Sequence, residues 1–472
     1  MKNLPINWTG RVLSAPIMIN FELTSGCNVR CRHCYNFWRE NASSTHDRVT
    51  EEKMDALIDM MIKDGVFHIV LTGGEPFLNY KVLLHGLRKC TENNISTSMN
   101  SNLMLATDER MKQLKEAGLN HVLTSLNSYD PAVNDYMVNK TGAFEEIIRG
   151  IKTTIANGIR VSVNMIISEP NKTHLYNTAK LCAELGAVNI FATRLVPSVN
   201  VDNPEVTDFY LEKEDAMRAV NDLAKAKKDF GIGIGSLISY PLCMLGDLEQ
   251  FRDLVGRGCP AQRGNRMVVN ANGETHSCTH EMKSYGNVFE IGIKGAFKKM
   301  REWHDGSYLY EACRDCDYIN VCRSGCRSAA YSYYKKMDEK DPLFLGKDAV
   351  KKRYKIEIPE EIGKAVMEGH EFIVPETVRF RKEDGFYVLN VRWANAFTVS
   401  EELGSFLIKM RDSKGAVSIK NMPGEKAGDW LIALIYKDAL EPKEKALKEK
   451  LGKNSKSGCG LDPSDIIQLQ HI

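Results

Sequence analysis

The stretch IMINFELTSGCNVRCRHCYNF, residues 17–37, passes directly from a β-branched, apolar run into three cysteines, Cys27, Cys31 and Cys34. A strand feeding a reactive loop is the repeating feature of parallel α/β sheets, whose chemistry collects at the carboxyl ends of the strands. The residues that follow keep this rhythm. Further strand patterns fall at 68–73 (HIVLTG), 95–100 (ISTSMN), 121–127 (HVLTSLN), 160–167 (RVSVNMII) and 189–196 (NIFATRLV), separated by amphipathic stretches. One such stretch, TEEKMDALIDMMIKDG, begins on the N-cap candidate Thr50 and stops at Gly65, with Met54, Leu57, Ile58, Met61 and Ile62 on one face. Another runs from Thr107 to Gly118. Six strand-then-helix units predict an α/β fold, a partial (β/α)6 TIM-like barrel over residues 16–240 after a lead-in at 1–15. An open doubly wound sheet is the structural alternative.

At 472 residues the chain has room for two or three domains, each with its own core. Its 63 basic and 61 acidic residues nearly cancel, so no global field points to nucleic acid or an anionic membrane as partner. No apolar run reaches the roughly 18 residues of a membrane span, and MKNLPINWTG lacks the apolar core of a secretion signal. A cytoplasmic location follows as the expectation. Thirteen cysteines, an odd number, without an export signal argue for metal or redox chemistry over a disulfide framework. Cys90 and Cys182 sit in helical apolar patterns and read as plain buried thiols.

Cys27, Cys31 and Cys34 are spaced Cys-x3-Cys-x2-Cys. Three thiols on a four-iron cube leave one iron without a protein ligand, a place for a substrate to bind. A structural zinc site would need a fourth ligand, and the nearest candidate, His33, lies inside the last gap, where it cannot ligate together with Cys31 and Cys34 without crowding.

The pattern resembles the radical S-adenosylmethionine (SAM) superfamily. Cys27, Cys31 and Cys34 match its three cluster ligands, Tyr35 matches the aromatic beside them, and Gly73, Gly74, Glu75 and Pro76 in LTGGEPFL match its glycine-rich SAM-contacting segment. Glycines let backbone approach a ligand, and a carboxylate at Glu75 can pair with the ammonium group of SAM. Ser125 and Asn127 resemble the polar residues that meet the ribose, while Asn164 and Arg194, at later strand ends, are candidates for contact with SAM or substrate. The resemblance implies a [4Fe-4S] cluster with one open iron, reductive cleavage of SAM to a 5′-deoxyadenosyl radical, hydrogen abstraction from an unactivated carbon, and a reducing partner such as flavodoxin or ferredoxin.

A second group, Cys259, Cys278, Cys313, Cys316, Cys322 and Cys326, lies within 241–345, a region rich in Cys, Gly and charge and poor in apolar core material. It resembles the SPASM extension of radical SAM enzymes that modify peptides and proteins, with six of its seven motif cysteines. That resemblance implies two auxiliary iron–sulfur clusters. Cys259, Cys278 and Cys326 belong to the first, with Cys243 a candidate further ligand, and Cys313, Cys316 and Cys322 to the second. Phe344 stands where a seventh cysteine would suit, which leaves the second cluster open, closed by Asp341, or closed by Cys459 across more than 100 residues at a cost in loop-closure entropy. Sulfatase-maturating enzymes carry a catalytic aspartate after the cysteine matching Cys278. Here Thr279 follows, and His280 and Glu281 are the candidate proton acceptors.

Beyond residue 345 the pattern changes again. Two strand-like runs flank Asp384-Gly385, a hairpin signal, and amphipathic helices follow from about 400 to 410 and to about 440. Residues 346–445 resemble the winged-helix-like peptide-recognition domain of the PQQ-chaperone type, where a precursor peptide adds as a strand to a sheet edge. Residues 446–472 are a lysine-rich tail. Together these resemblances imply a maturase of a ribosomally made peptide that forms a thioether, carbon–carbon or similar cross-link. The alternatives are a radical SAM enzyme acting on a tetrapyrrole or metal-cofactor precursor, a sulfatase-type protein maturase, and a non-catalytic metal scaffold.

Overall fold

Six strands form where the alternating patterns fall: β1 Met18–Glu22, β2 His68–Thr72, β3 Ser96–Asn100, β4 His121–Ser125, β5 Arg160–Ile167 and β6 Asn189–Arg194. The protein is seen in a computed structural model that describes residues 12–36, 47–196, 209–255, 258–353 and 358–452. Neighbouring strands pair in parallel and in chain order, β1 to β6, with no reversal of direction. That order excludes the doubly wound alternative, which needs a switch point where the strand order turns back. β2 is buried along its whole length, as a strand covered on both faces must be.

The crossover helices start and stop where their caps stand. In α1, Glu51–Asp64, the Thr50 side chain accepts from the Lys53 N–H, and Gly65 ends the helix at φ 66°. A cap of this kind contributes about 1 kcal/mol. Met54, Leu57, Ile58 and Met61 are buried, whereas Ile62, at 46% exposure, lies outside the core. In α2, Tyr80–Glu92, Gly86 lets the helix settle on Met54 of α1; a Cβ there would lie 2.7 Å from its sulfur. α3 (Asp108–Glu116), α4 (Pro131–Val138), α5 (Ala143–Ala156) and α6 (Leu175–Glu184) complete the outer layer between β3 and β6.

The sheet continues beyond the six expected strands. A short β7, Gly233–Gly235, pairs with β6 and was hidden by its glycines. On the other side β8, Arg266–Val269, pairs in parallel with β1 and carries β9, Thr275–His276. The Cys-rich region therefore has core material of its own and shares the barrel sheet. Phe297 and Trp303 are almost fully buried, and helix Val288–Lys299 packs on α1. The expectation of a core-poor segment is corrected: Met267, Val268 and Val269 are buried in the strand that extends the sheet.

The chain divides into two compact units, Met1–Arg353 and Tyr354–Ile472. In the second, β11 (Arg379–Glu383), β12 (Phe386–Arg392) and β13 (Asn395–Ser400) form an antiparallel sheet, and β10 (Phe372–Ile373) pairs with β14 (Glu441–Pro442). Asp384-Gly385 makes the β11–β12 turn, with Gly385 at φ 76°. The run after it is two strands, because the chain turns at Trp393 (φ 47°) and buried Asn390 donates to the carbonyls of Trp393 and Asn395. Ser400 caps helix Glu401–Asp412, and helix Ala427–Tyr436 follows. The tail thiol Cys459 lies outside the described residues.

Candidate functional site

A cavity of about 290 Å³ opens at the carboxyl ends of the barrel strands, and Cys27, Cys31 and Cys34 all line it. The three thiols are half-buried. Their loop is tied down at several points. The Arg32 N–H donates to the Met137 carbonyl at 2.9 Å, and its guanidinium donates to Tyr136 O and Asn139 Oδ1 and lies over the Tyr136 ring. From the β2 side, the N–H groups of Gly74 and Glu75 donate to the carbonyls of Thr24 and Gly26 at 2.7 and 2.8 Å. These contacts explain the two glycines. A Cβ on Gly74 would sit 1.9 Å from Gly26 O, and one on Gly73, at φ 134°, 2.5 Å from Thr24 O. Both glycines also line the cavity.

Glu75 and Pro76 are not among the lining residues. The Glu75 carboxylate is fully buried and accepts from Phe77 N–H (3.1 Å), the Ser101 hydroxyl (2.8 Å) and Asn102 N–H (2.9 Å), so the expected pairing with an ammonium group is corrected. The Asn102 amide in turn donates to Asn28 Oδ1 at 2.7 Å, linking this carboxylate to the cysteine loop. Burial raises its pKa to about 7 against the lowering effect of those three hydrogen bonds. A carboxyl raised above its unfolded value of 4.5 holds its proton more tightly when folded, so its contribution to stability is complete below that value and is lost as pH rises to about 7. The expected loss is up to about 3 kcal/mol. Comparing thermal unfolding of the native chain and Glu75→Gln between pH 5 and 8 checks it: the difference between the two should change across this window and be flat above it.

Ser125, Asn127, Asn164 and Arg194 line the same cavity. Two are fastened to the neighbouring strand. Asn127 Oδ1 accepts from Ile166 N–H, and Asn164 Oδ1 accepts from the Thr193 hydroxyl at 2.6 Å. Arg194, 4% exposed, makes a two-pronged pair with Asp341, 1% exposed, and donates to Ser239 O. Asp341 also accepts from Cys326 N–H (2.7 Å) and Leu343 N–H (2.9 Å). Both carboxylate oxygens are thus engaged, which corrects the expectation of Asp341 as a cluster ligand.

Cys259, Cys278 and Cys326 line this cavity too. Cys278 receives the Ser328 hydroxyl at 3.4 Å and a guanidinium N–H of Arg266 at 3.7 Å. Burial alone would raise its pKa, but a hydrogen bond with His280 and the charge of Arg266 bring it below the ordinary thiol range. His280 lines the cavity and its ring lies 4.8 Å from that of Tyr35, so one side chain touches residues of both cysteine groups. Glu281 does not line it. Its carboxylate, pushed up to about 7 by burial, accepts from Trp303 Nε1, the Tyr285 hydroxyl and Ser277 N–H, an anchoring arrangement that corrects its candidacy as a proton acceptor. Arg266 and Asn102 were invisible to sequence reading because neither belongs to a spaced motif.

Cys313, Cys316 and Cys322 line a second cavity, and the thiol that joins them is Cys243. The grouping of Cys243 with Cys259, Cys278 and Cys326 is thereby corrected. Among the described residues no three His, Cys, Asp or Glu side chains converge to hold a single metal ion. Thiols on one zinc would converge to about 3.8 Å from each other, given Zn–S near 2.3 Å, whereas a four-iron cube takes one thiol per corner and spreads them.

Residues 21–182, which hold β2 to β5 and the end of β1, match the model of the Radical SAM superfamily, a radical SAM domain in this part of the chain. Among curated proteins the chain is similar to an AdoMet-dependent heme synthase of Methanosarcina barkeri, 25% identical over 358 residues, which covers 70% of this chain and 97% of that one. It is also similar to the mycofactocin maturase MftC of Mycolicibacterium smegmatis, 24% identical over 357 residues, covering 70% of this chain and 83% of that one. Among solved structures, Streptococcus suis SuiB bound to precursor peptide SuiA superposes with TM-score 0.55 at 15% identity, covering 70% and 76% of the two chains, a likeness of fold. No helix among the described residues is long and apolar enough to cross a membrane.

Proposed function

We propose that this protein is a radical SAM maturase of a ribosomally made peptide, and that it forms a cross-link oxidatively in a core residue. The observation that carries the reading is the single cavity lined by Cys27, Cys31 and Cys34, by Gly73 and Gly74, and by Cys259, Cys278 and Cys326. When bound at the first three thiols, a four-iron cluster with SAM supplies a 5′-deoxyadenosyl radical that abstracts hydrogen. The chain's own residues do the rest. The glycine wall and the anchored Asn127 and Asn164 orient what binds at the strand ends, the buried setting excludes water, and His280 is the proton acceptor in the cavity wall. Cross-linking removes two hydrogens from the peptide. One leaves with the deoxyadenosyl group; the second leaves as a proton, for which His280 is the acceptor, and an electron, which an iron–sulfur cluster would accept if held by Cys259, Cys278 and Cys326. In the second unit, β11 is an edge strand of the three-stranded sheet, suited to pairing with an extended leader segment in winged-helix-like fashion.

The second reading, a small-molecule radical SAM enzyme, is favoured by the 97% coverage of the heme synthase. Anaerobic reconstitution, iron counting and assay of 5′-deoxyadenosine with and without short peptides encoded beside the gene separate the two. The proposal expects roughly 12 irons per chain, from three four-iron clusters, and deoxyadenosine formation enhanced by one such peptide together with a loss of two hydrogens from its mass. Cleavage of SAM that no neighbouring peptide enhances favours the small molecule. Absence of cleavage under reduction removes the enzyme reading.

A further inference from the structure

We infer that Cys243 is the fourth ligand of the iron–sulfur site built on Cys313, Cys316 and Cys322, so that this site is fully thiolate-ligated. The inference rests on the iron–sulfur reading of these thiols and is independent of the peptide.

The sequence leaves the second thiol set one cysteine short. The segment around Phe344 offers no cysteine, and Asp341 is held by Arg194, Cys326 and Leu343. The fold solves the gap from another direction. Pro241 starts a single helical turn, Leu242–Leu245, which turns the Cys243 side chain into the cavity that holds the other three thiols. The thiol-less segment docks on that same cysteine: Leu345 N–H donates to Cys243 Sγ at 3.3 Å. Phe344 lines the cavity as well and packs edge-on against Tyr310, with ring centroids 5.3 Å apart. The place of a seventh cysteine is thus taken by an aromatic wall and an N–H donor, and the thiol itself arrives from about 100 residues earlier. Cys243 is buried, away from solvent reductants and oxidants, and no thiol or aspartate of the described chain other than these four cysteines lines the cavity.

One consequence concerns the other auxiliary site. With Cys243 committed here, Cys259, Cys278 and Cys326 are left as a three-thiol set, and the incompletely ligated corner belongs to the cluster in the wall of the large cavity.

The test uses the full chain, anaerobically reconstituted, with Cys27, Cys31 and Cys34 replaced by alanine so that only auxiliary iron is counted. Cys243→Ala is expected to lower iron from about eight per chain toward four, or to give a three-iron paramagnetic signal on oxidation, and Cys316→Ala should do the same. Cys459→Ala should leave iron and spectrum unchanged. Cys243→Ser, which keeps the volume and offers an oxygen ligand, should retain more iron than Cys243→Ala with a shifted spectrum. Unchanged iron and spectrum in Cys243→Ala, with loss in Cys316→Ala, overturns the inference while leaving the cluster in place. Loss in neither variant overturns the iron–sulfur reading instead. A measurement on the unaltered cysteine set guards against misfolding of a variant: in the iron-loaded chain Cys459 should alkylate with iodoacetamide before iron is chelated, and Cys243 only afterwards. Protection of Cys459 until chelation overturns the inference.

Discussion

Gly74→Ala is expected to cost the protein its first cluster site and to lower SAM cleavage by about 100-fold, the scale of a misplacement near 1 Å. The added methyl would stand 1.9 Å from the carbonyl oxygen of Gly26, one residue before Cys27. Both sides of that contact are backbone, so no side chain can swing away. The strand-end loop carrying Cys27 must move, and the Gly74 and Glu75 hydrogen bonds to Thr24 and Gly26 break with it. Overpacking of this kind costs about 1–3 kcal/mol. The unfolding midpoint should therefore fall modestly while iron at the first cluster and deoxyadenosine formation fall steeply. Gly142→Ala, at a glycine of left-handed conformation (φ 79°) with open space where its Cβ would go, is the control: some stability loss, iron unchanged. Full activity in Gly74→Ala would show that the loop is not held by this contact.

Asp341→Ala should have the largest effect on stability, about 3–5 kcal/mol, because it strands the Arg194 guanidinium in a buried setting. It also frees the Cys326 N–H, so the auxiliary cluster proposed at that cysteine should become labile to chelator. Arg194→Lys loses the two-pronged geometry and should also destabilise, by less. Replacing both partners with apolar residues, Arg194→Met with Asp341→Leu, should recover most of the unfolding free energy, since an unpaired buried charge is the main cost. Chelator lability should persist in the double variant, because the bond to Cys326 remains absent. Denaturant titration and the decay of cluster absorbance read the two effects separately.

The barrel was legible because its signals are local. A strand's alternation, Thr50 before its helix and Gly65 after it are all read within a few residues, and the six strand patterns coincide with β1–β6 to within two residues at each end. What stayed hidden depends on contacts between distant segments. β8 is four residues long and carries no sign that its partner is β1, some 250 residues earlier. Trp393 turns the chain without glycine or proline, so β12 and β13 read as one strand. In the site, the cysteine motifs and the two glycines brought the cavity into view, but the side-chain directions did not follow. Glu75 and Glu281 look like functional carboxylates in sequence and are buried anchors in the fold. Cys243, with no motif around it, was grouped with the wrong set because residue spacing says nothing about which wall a single helical turn faces.

The pairing of β1 with both β2 and β8 bears on how the chain can be divided. A cut near residue 240, between the barrel and the Cys-rich region, would strip the strand that precedes the first cysteine loop of one hydrogen-bonded neighbour. The bare edge would be an apolar template for aggregation. The two regions are thus not interchangeable modules, and a graft that exchanges the auxiliary region between proteins has to carry the β1–β8 register with it. The natural seam for such engineering is the junction at Arg353 and Tyr354.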